Sequence, residues 1–320
     1  MKAVVLAGGH ATRLWPLTRH RAKPLLPLAG RPLVDYLVAE LEGHVDEVLI
    51  STNAKYGDDF RDYLTEHGRD ARVVEEEQAS EDEKPGTIGA IIDLLDREDL
   101  DDDLLVVGGD NYFGFDIADL VDFIATVDGP VNAVYDIGET AAAGEFGVVD
   151  TDGDRITGFA EKPDEPPSSL VSTAVYYFPR EHLSLFDDYE QHFAATDIPA
   201  SEYLDEPGRL IEWAHEKTAM YAYAFEGDWF DIGTPQNYLQ AQAAVGEQQV
   251  DGQVTGSDLG ANVWVMDGAT VESSRLEDCI VFPGAEIRDA SLESTIVDEE
   301  ATVEGTELEE SVIGEFSTVR

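Results

Sequence analysis

The part of the chain before Asp35 contains cations and glycines but no carboxylate. Lys2, Lys23 and four arginines occur there, and Asp35 is the first acidic residue of a chain whose formal net charge is −48. Gly8 and Gly9 follow an apolar, strand-like run. Glycines in such a place let the backbone approach a ligand and direct N–H groups at an anion, and Arg and Lys side chains bind phosphate oxygens. We therefore predict an anion site directly after the first strand.

Short strand patterns and helix patterns alternate from the N-terminus to Val131, which predicts an α/β fold. The predicted helices cover 32–41, 60–67, 87–95 and 117–127, and the predicted strands cover 2–6, 45–52, 73–74 and 104–107. This alternation indicates a Rossmann-like mixed, mainly parallel sheet with helices on both faces. Ligands of such sheets bind at the carboxyl ends of the strands. The loops after Leu6 and Val107, the second of which contains Asp110, should emerge there.

From residue 131 the predicted pattern becomes mixed. A hairpin is expected to turn at 152–154, with further strands over 171–178 and 220–225. Thr234 followed by Pro235 indicates the start of a helix that runs to Val245. None of the seven histidines falls in a metal-ligand or catalytic-triad pattern.

After Gly246 the chain repeats at a fixed, short interval. Ala-Thr-Val or a close variant recurs at 269, 285, 301 and 317, and Leu recurs at 276, 292 and 308, which is a 16-residue period. A short period of β-branched residues predicts a solenoid, in which each turn stacks on the last. The chain stops at Arg320 without an evident cap. We therefore expect either that a partner chain covers the last turn, as in a homo-oligomer, or that the natural protein is longer.

The composition indicates a folded protein with an acidic surface, because 68 Asp and Glu residues against 20 Lys and Arg are spread through good apolar patterns. Such a surface is typical of halophilic proteins, since molar salt screens its self-repulsion. The same charge repels nucleic acid and anionic lipid, so neither is an expected partner. A single cysteine, Cys279, and the lack of a signal or membrane-spanning pattern favour a cytoplasmic location.

The stretch LAGGHATRLWPLT, followed by KPLLPLAGRP, strongly resembles the signature of sugar-1-phosphate nucleotidyltransferases, with glucose-1-phosphate thymidylyl- and uridylyltransferases as the nearest relatives. The motifs GGDN (108–111), EFGVV (145–149), FAEKP (159–163), STAVYYF (172–178) and WFDIGTP (229–235) follow in the family's order. The resemblance implies a nucleotidyltransferase domain over 1–245. Residues 246–320 resemble the left-handed parallel β-helix that many members carry.

The resemblance implies condensation of a nucleoside triphosphate with a sugar 1-phosphate, which gives a nucleoside diphosphate sugar and pyrophosphate. The attacking phosphate is already ionised, so positioning and charge neutralisation would suffice. Catalytic roles are carried over to Arg13, Lys23 and Lys162. The expected nucleotide-binding residues are Leu6, Gly8, Gly9, Ala11, Thr12, Arg13, Lys23 and Gly86. The expected sugar-phosphate-binding residues are Asn111, Gly147, Glu161, Lys162, Ser172 and Thr173. Asp110 and Asp231 would ligate Mg²⁺, the expected cofactor.

Two departures from the family pattern concern the nucleotide. The third loop glycine of the family is Ala11 here, which would be strained if the position needs a positive φ. The base-reading loop, EEEQASEDEKPGT, is long and acidic, and Gln78 is only a candidate for the residue that reads the base. The choice between dTTP and UTP therefore stays open.

Three competing functions remain. One is a mannose-1-phosphate guanylyltransferase, within the same class of enzyme. Another is a catalytically inactive relative that senses sugar nucleotides. An enzyme is favoured over it because the phosphate-binding and metal-binding residues of the family are all present, as Arg13, Lys23, Asp110, Lys162 and Asp231. The third is an acyltransferase built on the solenoid, which its few turns and the lack of histidine after His215 disfavour. We expect the solenoid to serve assembly instead.

Overall fold

The computed structural model describes residues 1–9, 11–76 and 86–320. The chain divides into two compact units. Unit 1 consists of Met1–Gly9 and Asp35–Trp229, and unit 2 consists of His10–Val34 and Phe230–Arg320. The basic N-terminal segment thus belongs to the same unit as the predicted solenoid. The predicted domain boundary after residue 245 stays a prediction.

Unit 1 is built around a nine-stranded mixed sheet. In spatial order its strands are Arg72–Glu76, Glu47–Asn53, Lys2–Leu6, Leu104–Gly108, Leu170–Phe178, Val131–Asp136, Tyr221–Ala224, Arg155–Glu161 and Gly147–Asp152. The first four run parallel, and Tyr221–Ala224 runs parallel to Val131–Asp136. The other neighbours along this order are antiparallel. The mixed α/β fold is confirmed, but parallel pairs make up only half of the order rather than most of it.

The antiparallel half comes from the region that the sequence marked as mixed. Gly147–Asp152 and Arg155–Glu161 form the predicted hairpin, with Asp152 opposite Arg155 and Gly153 in the left-handed region. In the parallel half, the residues Ala3 to Val5 are completely buried between Glu47–Asn53 and Leu104–Gly108. A strand that is covered on both faces reads as a continuous apolar run, which is why this part was recognisable.

The α-helices of unit 1 include three that the sequence did not predict. The set is Leu33–Leu41 (whose first two residues belong to unit 2), Gly57–His67, Gly86–Arg97, Ile117–Ile124, Ser184–Ala194, Ala200–Tyr203 and Pro207–Ala214. The prediction of a helix to Val127 was wrong by three residues, because Thr126 Oγ1 bonds the Phe123 carbonyl and the chain leaves the helix. In the unpredicted helix Ser184–Ala194, Phe186 and Tyr189 are buried, whereas the residues around them include several acids. These acids made the apolar periodicity of the helix hard to recognise in the sequence. The helix Leu33–Leu41 and all other described helices are too short or too polar to cross a membrane.

Short elements connect these parts. The 3₁₀ turns are Thr12–Leu14, Lys23–Leu25, Ala54–Tyr56, Thr140–Glu145 and Arg180–His182, and the short strands are Pro27–Leu28, Arg31–Pro32, Asn111–Phe113 and Trp229–Asp231. In unit 2 the helix Pro235–Val245 starts as predicted, with Thr234 Oγ1 accepting the Asn237 N–H at 3.2 Å.

The rest of unit 2 is the predicted solenoid of parallel strands. One sheet contains Gln253–Thr255, Thr270–Glu272, Glu286–Arg288, Thr302–Glu304 and Thr318–Val319; the other contains Asp258–Leu259, Val263–Val265, Arg275–Val281, Ser291–Val297, Glu307–Glu309 and Val312–Ile313. Their registers, such as Thr270 opposite Glu286, repeat the 16-residue period.

Three residues with positive φ mark the corners of each solenoid turn. They recur at 16-residue spacing as Asn262, Asp278, Ser294 and Glu310; as Gly268, Gly284, Glu300 and Phe316; and as Ser273, Asp289 and Gly305. Ala269, Ala285 and Ala301 point inward and are fully buried. The solenoid is therefore confirmed as a stack of three-cornered turns, whereas its left-handedness stays a prediction.

Candidate active site

Asp110 lies at the end of a central strand of unit 1, in a turn that only glycine fits. A Cβ on Gly108 would lie 2.7 Å from Ala174 Cβ, and one on Gly109 would lie 2.7 Å from the Leu6 carbonyl oxygen, which already accepts the Gly109 N–H at 2.9 Å. The two glycines thus bring the first strand and Asp110 close together. Leu6, a predicted nucleotide-binding residue, takes part in this contact through its backbone carbonyl.

A chain of two hydrogen bonds orients Asp110. Asn111 Nδ2 donates to Asp110 Oδ1 at 2.7 Å, and Trp229 Nε1 donates to Asn111 Oδ1 at 2.9 Å. Asn111 is buried, so its amide is held in one orientation. Trp229 was missed as a site residue in the sequence, although its place in WFDIGTP, two residues before Asp231, was a usable signal.

Glu161 is a largely buried carboxylate at the end of the hairpin, with its side chain 12% exposed. A Cβ on Gly147 would lie 2.8 Å from Glu161 Oε2, and one on Gly208 would collide with the same carboxylate. Burial raises the pKa of Glu161, an effect that the neighbouring Lys162 partly offsets. A desolvated acceptor enclosed by glycines suits the hydroxyl groups of a sugar, and the sugar role of Glu161 that the resemblance implies stays a prediction.

Lys162 adopts a left-handed backbone conformation and is paired with the chain's own carboxylates. Its Nζ donates to Glu206 Oε1 at 2.5 Å and lies 3.8 Å from Glu161 Oε1. The second oxygen of Glu206 accepts a bond from Arg209 Nε at 3.1 Å. Glu206 therefore lies between two cations, one of which is the residue predicted to bind the sugar phosphate. Glu206 and Arg209 were missed in the sequence, because both fall in the unpredicted helical region.

Ser172 and Thr173 lie where a strand changes register against Val131–Asp136. Thr173 is buried, and its Oγ1 donates to the Ala133 carbonyl at 2.9 Å. The buried Asn132 Nδ2 donates to the Thr173 carbonyl at 3.3 Å. The Thr173 hydroxyl hydrogen is therefore committed to the sheet, and a contact of this residue with a sugar stays a prediction.

The glycine loop of unit 1 has one crowded and one open position. A Cβ on Gly8 would collide with the Glu76 carboxylate, whereas a Cβ on Gly9 would meet no atom within 4 Å. Glu76 accepts a bond from Ser51 Oγ at 3.2 Å, and burial raises its pKa. Gly86 has φ +73° and abuts the backbone of Leu204. The base-reading candidate Gln78 and the loop residue His10 lie outside the described residues.

The predicted catalytic cations of unit 2 lie together around Gly233. A Cβ on Gly233 would lie 3.4 Å from Arg13 Nη2 and 3.5 Å from Asp231 Oδ1. Lys23, whose side chain is 7% exposed, has its Nζ 3.8 Å from the same Asp231 oxygen. Two cations and one carboxylate that are far apart in sequence thus form one cluster.

Ala11 and Thr12 precede these cations at a strained turn. Ala11 has φ 46° and ψ 43°, and it caps the 3₁₀ turn Thr12–Leu14. The family signature has glycine where this chain has Ala11, and the structure places Ala11 in the left-handed region that favours glycine. The Thr18 hydroxyl and the Leu14 N–H both donate to the Ala11 carbonyl, at 2.8 and 3.0 Å, which holds the conformation.

The carboxylates fit a weakly held Mg²⁺ better than a metal cage. Among the described residues there is no cluster of three His, Cys, Asp or Glu side chains that would hold a metal ion. Mg²⁺ in phosphate-transfer sites is bound by one or two carboxylates and takes its remaining ligands from phosphate and water. Asp110 in unit 1 and Asp231 in unit 2 supply the donor type that this mode requires.

Comparison with known proteins gives one family. The nucleotidyl transferase family model matches residues 2–248. A Sulfolobus acidocaldarius protein named as a mannose-1-phosphate guanyltransferase is 30% identical over 241 residues, which are 75% of this chain and 62% of that protein. The bifunctional protein GlmU of Methanococcus maripaludis is 27% identical over 279 residues, which are 85% of this chain and 62% of that protein. The chain thus spans less than two thirds of the length of these relatives.

A solved structure is similar in fold. It is a crystal structure of a Bacillus anthracis protein, described as a glucose-1-phosphate thymidylyltransferase in complex with a sucrose, and it superposes with a TM-score of 0.63 at 25% identity. The match covers 76% of this chain and 94% of that one. The resemblance predicted from the sequence motifs is therefore confirmed at the level of the family.

Proposed function

The chain belongs to the nucleotidyl transferase family, and from this premise we propose that it condenses a nucleoside triphosphate with a sugar 1-phosphate. The products are a nucleoside diphosphate sugar and pyrophosphate. The observation that carries the proposal is the cluster of Arg13, Lys23 and Asp231 around Gly233. Such a cluster provides two cations for a triphosphate and one carboxylate for the metal that accompanies it.

The chemistry is an in-line displacement at the α-phosphorus. A phosphate oxygen of the sugar 1-phosphate forms the new P–O bond, and the bond to the β-phosphate breaks. Arg13 and Lys23 neutralise charge on the triphosphate as pyrophosphate leaves, with no proton transfer required. Asp110 in unit 1 and Asp231 in unit 2 are each proposed to hold Mg²⁺, which would supply further charge neutralisation.

The sugar phosphate is assigned to the residues around the hairpin end in unit 1. Lys162 binds its phosphate, and Glu161 accepts bonds from its hydroxyl groups. The burial of Glu161 and its enclosure by Gly147 and Gly208 support this role, because a desolvated carboxylate gains most from a fixed hydroxyl donor. Asn111 and the backbone of Ser172 and Thr173 complete the proposed sugar site.

Two base–sugar pairs are candidates. A pyrimidine triphosphate, dTTP or UTP, with glucose 1-phosphate follows from the signature motifs and from the Bacillus anthracis structure. GTP with mannose 1-phosphate is favoured by the Sulfolobus relative and by Glu76 beside Gly8. A desolvated carboxylate can accept both N–H groups on the Watson–Crick edge of guanine, and thymine and uracil offer one.

The test is pyrophosphate release in molar KCl with Mg²⁺. Each of dTTP, UTP, GTP, CTP and ATP is paired with glucose, galactose, mannose and N-acetylglucosamine 1-phosphates. Lys23→Met and Asp110→Asn should each abolish release, while Arg180→Gln, at an exposed pair with Asp101, should retain it. Glu76→Gln should selectively impair GTP if guanine is the base. Folded protein that releases pyrophosphate with no pair would refute the proposal and favour a sugar-nucleotide sensor.

A further inference from the structure

The segment that joins Arg13 to Lys23 rests on the solenoid. Arg21 Nη1 lies 3.0 Å from Asp298 Oδ1, and Arg21 Nη2 lies 3.1 Å from Glu299 Oε1. His20 Nε2 lies 3.3 Å from Glu315 Oε1. All these residues belong to unit 2. The anchored residues thus fall between the two predicted triphosphate-binding cations.

The contacts follow one column of the solenoid repeat. Phe282, Asp298 and Gly314 follow the 16-residue period and occupy the same place in three successive turns. The Arg21 guanidinium lies 5.1 Å from the Phe282 ring centroid, its Nη1 pairs with Asp298, and a Cβ on Gly314 would lie 2.8 Å from Pro16 Cβ. The ring of Phe282 and the carboxylate of Asp298 thus both contact Arg21, and the lack of a side chain at Gly314 leaves room for Pro16. The solenoid repeat by itself gives no reason for this choice of residues.

The pair formed by Arg21 and Asp298 is a buried one. The Asp298 side chain is 1% exposed, and that of Arg21 is 18% exposed. Burial raises the pKa of Asp298, while Arg21 and the Glu299 N–H, which donates to Asp298 Oδ1 at 2.9 Å, oppose the rise. A buried carboxylate without a cation is strongly disfavoured. Displacement of Arg21 from this position is therefore opposed by the charge it would leave behind.

The anchor lies close to the catalytic cations along the chain. Lys23 follows Arg21 by two residues. It is the first residue of the 3₁₀ turn Lys23–Leu25, which Ala22 caps. After that turn, the Ala29 N–H donates to Gln242 Oε1 at 3.0 Å, and the Tyr238 hydroxyl donates to the Pro27 carbonyl. The helix Pro235–Val245, which supplies both side chains, itself contacts the solenoid strands. Lys23 thus lies between two anchored stretches, one at His20 and Arg21 and the other at Pro27 and Ala29.

We propose that the solenoid acts as the platform that positions Arg13 and Lys23, with Arg21 and Asp298 as positioning residues. This inference rests on the proposed function, since it takes the two cations as triphosphate ligands. It gives the solenoid a role inside one chain. The assembly role suggested by the sequence is a separate prediction, and a monomer found by light scattering in molar KCl would count against it.

The decisive comparison is Arg21→Met against Arg288→Met. Arg288 is also a solenoid arginine, paired with Glu286 at 2.8 Å and Glu272 at 3.5 Å, but its side chain is 38% exposed and it belongs to the strand Glu286–Arg288. Arg21→Met should lower kcat/KM for the nucleoside triphosphate at least tenfold, since small displacements of positioned groups have effects of this size. The KM for the sugar 1-phosphate should change less than twofold. Arg21→Lys should restore part of the loss, and Arg288→Met should behave as wild type.

Two further readouts separate positioning from unfolding and from failure of the proposed function. Asp298→Asn keeps the size of the side chain and a hydrogen-bond acceptor, so it should fold and show the same selective effect in weaker form. Amide hydrogen exchange of peptides within residues 11–34 should accelerate in Arg21→Met but not in Arg288→Met, whether or not any substrate pair is turned over. Equal exchange and equal triphosphate kinetics in the two variants would overturn the platform. Absent turnover with selective exchange would refute the nucleotide assignment alone.

Discussion

Glu206→Gln is expected to improve the apparent affinity for the sugar 1-phosphate. In the structure Glu206 bridges Lys162 and Arg209 with one oxygen on each, at 2.5 and 3.1 Å. A phosphate group that binds Lys162 must therefore displace a carboxylate that is already in place. Glutamine keeps the shape and a hydrogen-bond acceptor but removes the negative charge, so it competes less.

The magnitude follows from the exposure of the partners. The side chains of Lys162 and Glu206 are 50% and 30% exposed, which places the pair among those that solvent screens. Exposed pairs contribute about 0.2–1 kcal/mol, and we take about 1 kcal/mol because two cations share one carboxylate. That corresponds to a roughly fivefold fall in KM for the sugar 1-phosphate, since about 1.4 kcal/mol is tenfold.

The assay is initial-rate pyrophosphate release at saturating triphosphate, with the sugar 1-phosphate varied. The expected result is a lower KM at unchanged kcat, because Glu206 competes for Lys162 in the free enzyme and is already displaced when the ligand is bound. Glu202→Gln is the matched control, since Glu202 lies 3.3 Å from Arg209 Nη2 and is 49% exposed. It should change KM less than twofold.

Two results would refute the reasoning. A higher KM in Glu206→Gln would mean that Glu206 orients Lys162 for the ligand instead of competing with it. An equal fall in kcat and kcat/KM would mean that Glu206 acts in the transition state. The direction of the pKa of Lys162 supports competition: burial alone would lower it, but the bond to Glu206 raises it, so the cation is held by this carboxylate.

Three further substitutions test the site. Ala11→Gly should raise the melting temperature by about 1–2 °C, because the left-handed strain of alanine exceeds the greater freedom of glycine in the unfolded chain by roughly 0.5–1 kcal/mol. Glu161→Gln should abolish activity, but the stability of the variant relative to wild type should increase as the pH rises above about 4.5. The pKa of Glu161 is raised in the folded protein, so the folded wild type binds a proton at this carboxyl group more tightly than the unfolded chain does. The wild type therefore loses that stabilisation at higher pH, and the glutamine variant, which has no group to ionise, does not. Trp229→Phe should lower kcat and raise the Mg²⁺ requirement, because Asn111 Oδ1 loses a bond worth about 1–3 kcal/mol when buried; Trp213→Phe, whose Nε1 has no hydrogen-bond partner within the part of the chain that the structure describes, should not.

Local pattern was sufficient for the parts of the fold that repeat or that are buried on both faces. The 16-residue period of Ala269, Ala285 and Ala301 became a set of inward-pointing residues in parallel register. The hairpin at Asp152–Arg155 followed from its turn residues. In both cases neighbours in sequence, or residues at a fixed spacing, decide the structure, so no long-range information was required.

The missed features depend on partners that are distant in sequence. The helices between Ser184 and Ala214 carry acidic residues on their exposed faces, which obscured the apolar period of residues such as Phe186. Glu206 and Arg209 became visible as site residues only when tertiary structure brought them to Lys162. The antiparallel half of the sheet likewise depends on the place of Leu170–Phe178, which pairs antiparallel with three other strands and which no local pattern specifies.

In a chain with 68 acidic and 20 basic residues, a cation meant for an anionic ligand has to compete with the protein's own carboxylates. The two predicted phosphate sites meet this condition in different ways. Lys23 is buried and pairs with Asp231, the predicted metal ligand, so its partner in the protein is a residue with a predicted role of its own. Lys162 is half exposed and is paired with Glu206, which has no other assigned role. The predicted triphosphate site is therefore preorganised by its surroundings, whereas a phosphate at the predicted sugar-phosphate site would have to replace the Glu206 carboxylate.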